Sequence, residues 1–302
     1  MAHRHSYTYG AVDVDDSLLP SPPPSPGEAD ALLAPDAHPH APHTGDLEAD
    51  AWAARKRQLH ARAAWADWLN EDLGPPDMVY SNLVITLSTS MLDAVMFTLF
   101  GTFTTNQTGN TVFLTLAALH RGSKKLILTA TALGGFFGAG LLFGQLGAWF
   151  GHRRRAWVLA TMSYQVAVLA AFCFLVSPLA PTAYTPEGEH AWVPMLLSAI
   201  QGGPQVVMAT NLGVPEMPTA MVTSAYAGLI SDTFLFSHTP QVPRDRRIVY
   251  LTVFWIGSFL GLGAEQFISA WFASSLACLF KAIALVMIWR SRSAEETRGR
   301  HW

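Results

Sequence analysis

Residues 81–101, SNLVITLSTSMLDAVMFTLFG, are apolar over the full length of a membrane span and carry a single acid, Asp93. A helix needs about 20 such residues to cross the hydrocarbon core. An exposed carboxylate near the middle of that span is costly, so Asp93 must face protein or a water-filled cavity. It then serves as a proton or substrate relay, or as a hydrogen-bonded packing acid. Thr104-Thr105-Asn106-Gln107-Thr108-Gly109-Asn110 follows directly. So many hydroxyls and amides at membrane depth must line a cavity or satisfy a broken helix; at the membrane surface the same stretch would be an ordinary capped turn. Thr104, Asn106, Thr108, Gly109 and Asn110 are therefore candidate site residues alongside Asp93.

Apolar segments recur outward from this stretch. Thr105–Leu119 is short, whereas Leu126–Phe150 and Ala156–Val176 are of full length. After a polar loop come Trp192–Leu212, the shorter Thr219–Phe236, then Ile248–Ile268 and Trp271–Trp289. Both short segments follow the first long span of their half, and two long spans follow each. The expected fold is an all-α polytopic membrane protein with six full spans and two short broken or re-entrant helices. The repeated order suggests an internal duplication with halves at about 80–178 and 191–290. Glycines at small-xxx-small spacing, Gly134/Gly138, Gly140/Gly144 and Gly257/Gly261, suit close helix packing.

Loop charge favours six crossings. With the short segments dipping in and returning, Arg153–Arg155, Arg244, Arg246, Arg247, Arg290 and Arg292 share the cytoplasmic side with both termini. Arg121, Lys124 and Lys125 fall on the other side, and this contradiction leaves seven or eight crossings open.

Of 302 residues, 50% are hydrophobic and 14% charged, against about 25% charged in a soluble domain. Two cysteines and a net charge of -3 exclude a disulfide scaffold and give no nucleic-acid footprint. Residues 1–50 are rich in proline and acids and read as a disordered cytoplasmic tail. His38, His40 and His43 within it are flexible imidazoles rather than a metal site. Residues 51–79 read as an amphipathic juxtamembrane segment, with Arg55, Lys56, Arg57 and Arg62 followed by Trp65 and Trp68 at the interface; a solvent-exposed juxtamembrane helix fits nearly as well. Residues 291–302 form a short C-terminal tail.

The second half repeats the polar theme. Gln205 beside Pro204 lies in an apolar segment. Thr219 and Thr223 repeat the spacing of Thr104 and Thr108 after the helix-breaking Gly213, Pro215 and Pro218. Glu265 and Lys281 are charges in the last two spans and are expected to pair across their hairpin. Helix packing would account for each of these equally well. Cys173 and Cys278 are apolar fillers. The chain lacks a Walker loop, a dinucleotide fingerprint, H-E-x-x-H and G-x-S-x-G, so no enzyme assembles and no cofactor or metal is expected.

Asp93-Ala94-Val95 with Thr108-Gly109-Asn110-Thr111-Val112, the glycine-rich third segment, Gly203-Pro204-Gln205 and Thr219–Ser224 together resemble the YoaK-like family. These are bacterial and fungal membrane proteins defined as a domain of unknown function. The resemblance covers about residues 80–290 and implies a multi-pass membrane protein without naming a substrate. The proline-rich tail resembles fungal members. Gln205-Val206 stands where the family commonly has Gln-Asn, and Thr223-Ser224 where it has Thr-Gly. Such departures imply an altered second wall of any site.

The expected function is secondary transport of a small molecule through a cavity around Asp93, the Thr104–Asn110 break and Gln205. The alternative is a non-transporting scaffold or receptor-like protein whose polar residues fix helix packing. Expected partners are the lipid bilayer, a small-molecule substrate and a second copy of the chain; the location is the plasma membrane or an internal one.

Overall fold

A computed structural model describes residues 44–120 and 123–294. Most of the proline-rich segment, Arg121 and the end of the C-terminal tail lie outside the described residues. The chain divides into two units, 1–69 and 70–302. The first contributes α1, Thr44–Asn70, which begins inside the segment read as tail. In it Trp65 meets Trp68 edge-on at 5.4 Å, and Lys56 sits 5.3 Å from the Trp52 ring centroid.

The second unit holds α2 (Pro75–Phe100), α3 (Gln107–Leu119), α4 (Ser123–Phe150) and α5 (Arg155–Val176), then α6 (Trp192–Asn211), α7 (Val222–Ile230), α8 (Val242–Phe267) and α9 (Ala270–Trp289). Each set runs long, short, long, long. Prolines in the first turn of α2 cost no backbone bond, and Gly101 closes the helix in the left-handed region at φ 62°. Gly213 does the same after α6, at φ 81°. Five helices, those of α2, α4, α5, α8 and α9, are long and apolar enough to cross a membrane. Gln201, Gly202, Gly203, Pro204, Gln205 and Asn211 give α6 a more polar composition.

Helix directions follow from their contacts. The peptide N–H of Leu73 donates to the Arg153 carbonyl at 2.9 Å, and that of Arg155 to the Glu71 carbonyl at 2.9 Å. The Ala294 N–H donates to the Asp72 carbonyl at 2.7 Å, and Arg153 Nε to the Asn211 carbonyl at 3.1 Å. The starts of α2 and α5 therefore lie together with the ends of α6 and α9. Buried Arg155 ties this end, donating to Glu71 at 2.9 Å and to the Ser291 carbonyl at 2.6 Å. Toward the opposite end an apolar cluster of Met96, Phe100, Leu128, Phe172 and Met195 fills the interior.

Within this frame α4 packs along α6 and α8 along α2; α5 lies on α6 and α9 on α2; α5 meets α9; α3 leans on α4 and α7 on α8. Exchanging the two sets leaves these pairings unchanged. Glycines allow close approaches between these helices. A Cβ on Gly203 would strike the Phe136 carbonyl and the Gly140 backbone, and one on Gly261 would lie 2.6 Å from the Met91 carbonyl oxygen. Gly140 and Gly257/Gly261 thus sit at helix contacts, whereas Gly134 and Gly138 have nothing within 4 Å. Gly203→Leu should part α4 from α6 and lower stability by about 1–3 kcal/mol, the cost of overpacking. Thermal unfolding in detergent checks this, with Gly134→Leu as the harmless control.

Large apolar side chains point outward from α4, α8 and their neighbours: Phe137 is 63% exposed, Leu141 65%, Trp149 82% and Phe259 67%. An apolar surface of this extent belongs in lipid. The chain is an integral, multi-pass membrane protein.

Candidate functional site

Each short helix begins at a loop that folds back along the long helix before it. After Gly101 the chain returns to Asp93. One carboxylate oxygen of Asp93 accepts from the backbone N–H groups of Thr104 (2.7 Å) and Thr105 (2.8 Å), and the other from Thr105 Oγ1 (2.5 Å). Asp93 is buried, as a carboxylate at membrane depth must be. Asn110, fully buried, staples the same loop. Its Nδ2 donates to the Phe103 carbonyl at 2.8 Å and its Oδ1 accepts from the Phe103 N–H at 2.9 Å. An asparagine amide carries a donor and an acceptor side by side and so completes both bonds of one backbone unit. Asn110→Ala should strand both groups at about 1–3 kcal/mol each, loosening the loop under Asp93. Thermal unfolding and protease sensitivity at residues 101–106 would register the change.

The second half mirrors this route. After Gly213 the chain returns to Gln205, which precedes Gly213 by the interval that separates Asp93 from Gly101. Gln205 Nε2 donates to Thr219 Oγ1 at 3.3 Å and to Thr89 Oγ1 of α2 at 2.8 Å. Thr219 has φ 55°, a conformation that a β-branched residue adopts only when its surroundings enforce it. The Thr89–Gln205 bond joins the two halves near the middle of α2 and α6.

Lys281 of α9 is buried in the same place. Its ammonium donates to Gln205 Oε1 at 2.7 Å and to Gln201 Oε1. The cross-hairpin pair with Glu265 does not form: Glu265 is half-buried and makes no ion pair among the described residues. The reason is geometric. Lys281 lies on the buried face of α9, where the amides of α6 offer two acceptors at close range.

The structure thus brings together Asp93, Thr104, Asn110, Gln205, Thr219 and Lys281. Asn106, Thr108 and Thr223 are exposed. Asn106 Oδ1 faces the Gly109 N–H at 3.5 Å, a loose cap on α3. Gly109 lies against the Phe103 ring, where a Cβ would approach to 3.0 Å. Thr89, Thr105 and Gln201 complete the network and were not among the site candidates. Gln165 of α5 was missed too: it is fully buried and neither amide atom has a hydrogen-bond partner. Single polar groups in apolar spans were the available signal for Gln165, as for Asp93.

Comparison with curated proteins and with solved structures brings no match. A family model described as "Protein of unknown function (DUF1275)" matches residues 82–287, most of the chain and all of the polar centre. The chain belongs to this family.

Proposed function

We propose that the protein is a secondary transporter built from two inverted repeats, α2–α5 and α6–α9, with its substrate path at the Asp93–Gln205–Lys281 centre. One observation carries the reading: in each half a discontinuous helix breaks at a buried polar group, and the breaks occupy equivalent places. Transporters use such breaks to expose backbone dipoles and polar side chains at mid-membrane. The long helices α2, α4, α5, α6, α8 and α9 make six crossings. The short helices α3 and α7 start at the centre and leave by the face their loops entered. Three crossings per half invert the second repeat relative to the first. The arginines at 153–155, 244, 246, 247, 290 and 292 then share the cytoplasmic side, against Lys124 and Lys125 on the other. The chain works as a carrier and not as an enzyme.

Uptake by the purified protein in sealed liposomes tests the function. Accumulation driven by a substrate or proton gradient, above protein-free liposomes, is the expected result; no flux for anionic, cationic or neutral solutes contradicts it. Single cysteines at Glu187 and His238, in a chain with Cys173 and Cys278 replaced, test the crossings. An impermeant thiol reagent should reach them from opposite faces. Labelling from one face would break the six-span arrangement.

A further inference from the structure

Gln165 identifies a place in the centre whose hydrogen-bonding capacity is unspent. Tyr164 Oη donates to the Ile200 carbonyl at 3.4 Å, and Cys278 Sγ approaches the Val166 carbonyl at 4.0 Å. Gln165 therefore lies level with Gln201 of α6 and with the 278–281 turn of α9, on the buried face of α5. Lys281 is on that same turn, and two of its three ammonium hydrogens go to Gln201 and Gln205. Both partners are neutral. Asp93 is the opposing buried charge, but Thr104 and Thr105 already occupy both of its oxygens. Gln205 is likewise spent on Thr89, Thr219 and Lys281. Among the described residues, one ammonium N–H, both ends of the Gln165 amide and the Thr161 hydroxyl one turn before it are unspent on the α5 side of Lys281; Thr104 Oγ1, the Asn82 amide and the hydroxyls of Ser81, Ser274 and Tyr250 are also without partners. A buried amide with neither end satisfied is rare in a packed interior and calls for a partner.

We propose that Lys281 and Gln165 anchor the cargo and that the cargo is a small carboxylate bearing a neighbouring hydroxyl or amino group. This rests on the transport reading. Asp93 offsets the lysine charge from a distance, but no anion touches the ammonium, and one carboxylate supplies that direct acceptor. Lys281 Nζ and Gln165 Nε2 donate to the two carboxylate oxygens. Gln165 Oε1, an acceptor, receives the neighbouring hydroxyl or amine. A neutral solute gives the ammonium no charged acceptor, and a cation is repelled by it.

The test is equilibrium binding to the full chain in lipid nanodiscs, followed by calorimetry or by the fluorescence of its tryptophans. The probes are glycolate, acetate, glycolamide and ethanolamine. Glycolate should bind saturably, with glycolamide and ethanolamine weaker by at least about ten-fold, the worth of one charge-assisted hydrogen bond. Gln165→Leu should weaken glycolate about ten-fold and narrow its advantage over acetate, while Lys281→Met should abolish both. If Lys281→Met does not fold, Gln165→Leu decides alone. Equal binding of glycolamide, no binding of either carboxylate, or full glycolate affinity in Gln165→Leu overturns the assignment. Binding uses no gradient, so the two readings fail separately: glycolate bound but never moved refutes transport and keeps the site. Flux of another solute class without glycolate binding refutes the site and keeps transport.

Discussion

Asp93→Asn should reduce gradient-driven uptake in sealed liposomes by at least about ten-fold while the protein still folds. The substitution keeps the shape of the contact. Asparagine Oδ1 can accept from the Thr104 and Thr105 backbone N–H groups as the carboxylate does at 2.7 and 2.8 Å. Its Nδ2 can donate to Thr105 Oγ1, a hydroxyl free to reverse its role. Charge and the capacity to take a proton are lost. Unchanged uptake would remove that charge from the mechanism. Asp93→Ala is the informative contrast, because it strands both N–H groups at about 1–3 kcal/mol each. Its effect on stability should exceed that of asparagine, whatever happens to flux.

The second large effect concerns the two buried charges together. Asp93 and Lys281 interact across the centre without touching, and either one alone would be an uncompensated charge at membrane depth. Lys281→Met should therefore cost about 3–5 kcal/mol, the range seen when one member of a buried charge pair is removed. Combining it with Asp93→Asn should return about 1–3 kcal/mol of that loss, a coupling expected of interacting groups. Chemical denaturation in a fixed detergent measures all four chains. Additive losses would mean that the charges are stabilised separately, by the amides of α6 and the loop after Gly101.

Much of this centre was legible in the chain itself. An acid in an apolar span followed by a stretch with six polar residues among seven could hardly be placed except against protein, and Asp93 does hold the Thr104–Thr105 turn. The equivalent break after Gln205 was visible through Gly213, Pro215 and Pro218. Polarity alone could not choose the inward face of a half-helix. The string Thr104 to Asn110 enters α3 with its residues turning around the axis, so Asn110 is buried while Thr108 is exposed. The partner of Lys281 was also beyond local reading. Glu265 is near in sequence, but α6 supplies Gln201 and Gln205 through packing between distant segments. Gln165 could have been found by the rule applied to Asp93, since a lone amide in an apolar span poses the same question.

Under the proposed transport reading, both faces of the membrane reach this centre in turn. A cysteine in place of Thr89, at the junction of the halves beside Gln205, tests it directly in a chain with Cys173 and Cys278 replaced. With a substrate gradient in one direction an impermeant thiol reagent should label Thr89→Cys from one face, and with the gradient reversed from the other. Labelling from a single face under both gradients, or from neither, would contradict alternating access.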